Sequence, residues 1–163
     1  MVPDTVENTS DSLRERLEAT MWARHENPWS GWSRVPAGPA LMLAVYLRSK
    51  RLLALVLGWV VVNPFLFSPP DPDTESWMTR VVRAERWWLD QGRGTLGLGW
   101  PNAINLAGAA ANVVALVAAL RRRPRELVVA TVLASGLKLA WIEAIARQYD
   151  RRNEGERAET ESF

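Results

Sequence analysis

The chain has 163 residues, with 20 Lys and Arg against 18 Asp and Glu, one histidine and no cysteine. That length suits one domain with a sizeable core, and a formal charge of +2 is too small to point to a nucleic-acid partner. Without cysteine, disulfides, thiolate nucleophiles and cysteine-ligated metals are excluded within this chain.

In chain order, residues 1–10 are polar and acidic, lack the apolar run of a signal peptide, and are expected to be disordered. Ser12 and Glu15 have the spacing of a capping box, and Leu13, Leu17 and Met21 recur at helical intervals. This short amphipathic helix should stop at Asn27-Pro28, because proline disfavours helical backbone in the residue before it. Four apolar segments follow, at 35–47, 52–67, 103–120 and 127–146. RSKR (48–51) separates the first two and RRRPRE (121–126) the last two, so each pair is predicted to form a tight hairpin turning on positive charge. Between the pairs, SPPDPDTE is a proline-rich turn leading into a helix over 76–90. That helix carries Met78, Val81, Val82, Trp88 and Leu89 on one side and Arg80, Arg83 and Arg86 on the other, the pattern of an interfacial helix. The tail, 151–163, lacks an apolar stripe and is expected to be disordered, leaving 11–150 as one helical membrane domain.

The length rule is demanding: about 20 apolar residues cross the hydrocarbon layer. The first segment is short by that rule, and the mean hydropathy of −0.12 is low for four spans. Against this, the second and third segments are apolar all round, which a soluble protein of this size rarely needs. The nine tryptophans add weight, since indole suits the headgroup boundary. Trp22, Trp29, Trp32, Trp77, Trp87, Trp88 and Trp100 are the expected interface anchors. Arg48, Lys50, Arg51 and Arg121, Arg122, Arg123, Arg125 would place both turns on the cytoplasmic side of a cell membrane.

Few residues suggest chemistry. His25-Glu26 opens like a zinc-protease HExxH, but position 29 is Trp29 and no second histidine exists. Gly92-Arg93-Gly94-Thr95-Leu96-Gly97 spells GxGxxG without the strand that a dinucleotide site requires before it. RRRPRE could bind an acidic headgroup, though a cytoplasmic turn explains it as well. No cofactor or metal is evident. Charges inside apolar segments are the better lead, since they are costly and usually paired. Lys138 and Glu143 lie about 140° apart on a helix and cannot share a face. Glu85, inside the apolar stripe of its helix, is one candidate partner of Lys138. Arg24, His25, Glu85, Lys138 and Glu143 are together the candidate buried network. Asn105, Gly108, Ala109 and Asn112 form a stripe suited to close helix packing.

The stretch WARHENPWSGWSR (22–34) resembles a family of small multi-pass membrane proteins of unknown function with the signature W-A-R-H-x-N-P-W-S-x-W-[ST]-R. The likeness extends to Asn63-Pro64-Phe65-Leu66-Phe67, Glu85-Arg86-Trp87-Trp88-Leu89 and Lys138, Trp141 and Glu143, over roughly residues 20–150. The glycine-rich link Gly92 to Gly99 departs from it. The resemblance implies a membrane location and no activity. The expectation is therefore an all-α protein: four apolar helices in two antiparallel hairpins, plus amphipathic interfacial helices. Its partners would be the bilayer and a second copy or another membrane protein, not nucleic acid. A structural or partner-binding module is the leading role. A small transporter or channel subunit using the Lys/Glu network, and a membrane enzyme using His25, are the alternatives.

Overall fold

The computed structural model describes residues 4–161, with side chains over 12–160. All regular structure among the described residues is helical: α1 (Asp4–His25), α2 (Pro28–Arg34), α3 (Ala37–Tyr46), α4 (Lys50–Leu66), α5 (Trp77–Asp90), α6 (Asn102–Leu120) and α7 (Pro124–Glu161). Sequence-local chemistry sets the boundaries. Asn27 is extended (φ −62°, ψ 128°) ahead of Pro28, and its side chain accepts the Trp29 N–H at 2.9 Å, ending α1 and capping α2. Ser49 and Ser76 cap α4 and α5 in the same way.

The turns after α3 and α6 share one geometry. Arg48 (φ 53°) and Arg122 (φ 55°) are both left-handed. Ser49 N–H reaches Ala44 C=O and Arg48 N–H reaches Val45 C=O; Arg123 N–H reaches Ala118 C=O and Arg122 N–H reaches Ala119 C=O. Both are Schellman caps, and arginine stands where glycine is usual. A left-handed non-glycine residue costs roughly 1–2 kcal/mol, partly offset by the chain entropy that glycine would lose. Arg122→Gly is therefore expected to stabilise the protein by about 0.5–1 kcal/mol. A lower thermal midpoint in detergent would contradict it.

Packing is inverted relative to a water-soluble bundle. On α6 the buried positions are Gly108, Ala111, Ala115, Ala118 and Ala119, meeting Leu127, Ala130 and Ala134 of α7. A Cβ on Gly108 would lie 3.4 Å from the Leu137 Cβ, so the two backbones are close. The large apolar side chains point outward: Val61 on α4, Val113 on α6 and Val129 on α7 are 68%, 60% and 68% exposed. Met42, Val45 and Tyr46 of α3 pack where α6 meets α7 beside their turn, so both arginine turns lie at the same end. At the other end α1, α2 and α5 form a polar cap. There Trp141, fully buried, centres a core of Met78, Val81, Val82, Trp88 and Ile145.

One correction to the sequence reading follows. Among the described residues, only α6 and α7 are long and apolar enough to cross a membrane. The expected first segment folds as a 10-residue helix because Pro36 delays its start, and the second as a 17-residue helix. Helices of those lengths reach about 15 and 26 Å. At the termini α1 begins at Asp4 and α7 continues to Glu161, and residues 1–3 and 162–163 of the expected disordered ends lie outside the described residues. Along that extension Arg152 bonds Glu156 at 2.7 Å, one turn on, which supports helix without a core.

Candidate functional site

The short helix α2 is fastened to the end of α4. Ser30 Oγ donates to Asn63 Oδ1 at 2.9 Å, Asn63 Nδ2 donates to Ser33 Oγ at 2.8 Å, and Ser33 Oγ donates to the Ser30 carbonyl at 3.1 Å. Ser30 and Asn63 are fully buried, so this closed circuit satisfies groups that would otherwise be costly. Beside it, Arg24 and Asn27 donate to the carbonyls of Phe65 and Ser68, at 2.8 and 2.9 Å, capping the C-terminal end of α4. A Cβ at Gly31 would overlap the Met78 side chain, which is why glycine sits where α2 meets α5.

The circuit dictates the protonation of His25. Its Nδ1 lies 3.3 Å from Ser30 Oγ. The single Ser30 proton is already given to Asn63, so Ser30 can only accept, and His25 must carry its proton on Nδ1. Arg34 NH1 lies 3.3 and 3.2 Å from the two ring nitrogens. With Nδ1 protonated, Nε2 is the one that accepts from Arg34. Burial first, and the Arg34 charge second, push the His25 pKa down to about 4. The imidazole is thus neutral at neutral pH. A histidine with a lowered folded pKa contributes stability that is complete above the unfolded value of 6.5 and is lost as pH falls towards about 4. The thermal midpoint should therefore fall from pH 6.5 to 4, and His25→Gln should flatten that part of the profile. An unchanged slope in the variant would refute this assignment.

His25, Arg34, Glu85 and Lys138 line one cavity of about 380 Å³ between α2, α5, α6 and α7, walled otherwise by Met78, Val82 and Ile142. Lys138 Nζ is 3.7 Å from Glu85 Oε1 and 4.0 Å from the centre of the Trp141 ring. The cavity therefore holds two cations, one carboxylate and one neutral imidazole.

Of the five residues expected to form one network, His25, Glu85 and Lys138 share this cavity. Arg24 is engaged by the α4 carbonyl instead. Glu143 lies in a separate cluster, accepting from Trp77 Nε1 and Arg147 at 2.9 Å and from Arg80, which also binds Asp150. Arg34, Ser30 and Asn63 were not anticipated. A signal existed for Asn63, an amide inside an apolar run. None existed for Arg34, which reads as one more flanking arginine. On the expected packing stripe Gly108 is at the contact and Ala109 at its edge. Asn105 instead holds the Thr95 carbonyl at 2.8 Å, and Asn112 bonds within its own helix to Gly108.

The expected anchors divide by environment. Trp29, Trp32 and Trp100 are exposed, whereas Trp88 is buried and Trp22, Trp77 and Trp87 pack around the same core. The stripe of α5 turns Trp88 inward, into the core. The Gly92–Gly97 loop follows a helix, and the Gly94 carbonyl accepts from Trp88 and Asn102 at 3.0 and 2.9 Å. It is a structural strap over α5 and α6. Among the described residues no group of three or more acidic or histidine side chains is placed to hold a metal.

No curated protein and no solved structure matches the chain. One family model does, covering residues 11–162, nearly the whole chain and every residue of the cavity. The protein is a member of the family of unknown function DUF6653.

Proposed function

We propose that the protein is an integral membrane protein whose role is to bind a ligand or partner at the boundary between its polar cap and the bilayer. The distribution of side-chain size carries this reading. Alanines and a glycine fill the α6–α7 contact while valines and leucines face outward on α4, α6 and α7. A core helix of a soluble protein passes the same length and hydropathy test but is mostly buried; α6 and α7 are mostly exposed. Close packing of small residues with large apolar groups turned out is favourable in lipid and costly in water. The shorter α3 and α4 complete the bundle, and α3 enters the bilayer without needing to span it. Seven basic residues at the two turns favour a cytoplasmic location for that end.

Binding is favoured over conduction by where the charges stop. Lys138 is 14 residues from Pro124, about 21 Å along α7, and so near the cap side of a hydrocarbon layer about 30 Å thick. From there to the turns the buried cluster is Met42, Ala115, Ala118, Ala119, Leu127 and Ala130, and no charged residue among the described residues is buried there. The test is extraction. Alkaline carbonate should leave the protein in the membrane pellet; release by carbonate or salt would defeat the integral reading.

A further inference from the structure

The polar cavity is not closed. A second, apolar groove of about 610 Å³ runs between α3 and α7, and it shares Val35, Pro39, Thr131 and Ser135 with the cavity as common walls. The groove extends along α7 from Ser135 to Leu127, about 12 Å towards the arginine turns. Its rim is open outward, with Leu43, Val128 and Val132 47%, 60% and 67% exposed. At the junction Thr131 lines both spaces, its hydroxyl buried and without a hydrogen-bond partner.

Building on the membrane reading above, we propose that cavity and groove together form a site for a single-chain lipid. Its head carries an anionic group and a hydroxyl, and it is taken laterally from the bilayer. The head group follows from the wall chemistry. Arg34 and Lys138 outnumber Glu85, so the cavity carries one net positive charge that an anion neutralises. Glu85, paired with Lys138 through one carboxylate oxygen, keeps acceptor capacity to spare, which suits a hydroxyl donor. Thr131 stands where head and chain join. The depth matches as well: the polar end lies towards the cap, and the apolar groove leads into the hydrocarbon. A lipid in that leaflet needs no reorientation to enter. The combined volume is within the range of sites that enclose small ligands.

Oleoyl lysophosphatidate has these features; oleoyl lysophosphatidylcholine keeps the chain and the hydroxyl but is zwitterionic. Full-length protein in a mild detergent is titrated with each by native mass spectrometry. The expected result is one lysophosphatidate per chain, bound about tenfold or more tightly than the choline lipid. Lys138→Met and Arg34→Gln should each remove that preference. Val132→Trp, at an exposed groove wall and so free of core repacking, should weaken lysophosphatidate binding while helical content stays unchanged. Equal binding of the two lipids, or indifference to all three substitutions, would overturn the proposal. Competition by inorganic phosphate as strong as by lysophosphatidate would overturn the role of the groove. Carbonate-resistant protein that binds neither lipid overturns this inference alone, whereas carbonate-released protein overturns the membrane reading on which it rests.

Discussion

Trp141→Ala is expected to cost about 3–5 kcal/mol, within the range for deleting a fully buried tryptophan. Trp141 has no exposed surface and joins α7 to Met78, Val81, Val82 and Trp88 of α5. Its Nε1 donates to Asn102 Oδ1 at 3.2 Å, tying α7 to the first residue of α6, and its ring carries the Lys138 ammonium. Alanine would remove all three and leave a cavity in the cap. A domain's total stability is only about 5–15 kcal/mol, so the variant should unfold in detergent well below the wild-type temperature by circular dichroism. Trp141→Phe keeps an aromatic body and loses the hydrogen bond, about 1–2 kcal/mol. Equal losses in the two variants would mean that the bond, not the packing, dominates.

Asn63→Ala should cost about 2–4 kcal/mol, because it removes two hydrogen bonds from a buried circuit. It also has a chemical signature independent of stability. With Asn63 gone, the Ser30 proton is free to turn to His25, whose Nδ1 then accepts it and whose own proton moves to Nε2. As His25 is the chain's only histidine, nitrogen NMR of imidazole-labelled protein reads this without overlap. Wild type should show the Nδ1–H tautomer and the variant the Nε2–H tautomer. A wild-type ring protonated on Nε2 would contradict the hydrogen-bond circuit.

The helical class was legible in the sequence, because apolar runs and proline or serine boundaries act locally. Asn27-Pro28 marks its break wherever the helices go. The Lys138–Glu85 pair was legible for an energetic reason: each charge interrupts an apolar pattern, and each needs the other. What could not be read was decided by angles between helices. Glu143 sits only five residues from Lys138, yet it faces Trp77 and Arg80, because α5 crosses α7 with its arginines on that side. Arg34 reaches the His25 ring only because the break at Asn27 folds α2 back over the end of α1. Trp88 and Trp100 are the same residue type near the same loop, and burial alone separates them, at 4% and 73% exposed. The first apolar segment, short in sequence, is a short helix beginning after Pro36, whereas α7 runs on into a polar tail where Arg152 pairs with Glu156 one turn on.

The α6–α7 contact also determines how the two helices hold their register. A surface of small residues lets the two backbones approach closely but carries few side chains that reach across. Directional ties between these two helices stand at the two ends. One is the covalent turn through Arg122, and the other, roughly a full helix away, is the Asn102–Trp141 bond. With the second tie released, α7 would keep its place at that end through α5, by the Trp141 core, Arg80–Glu143 and Lys138–Glu85, so the position of Lys138 would then follow α5 rather than α6.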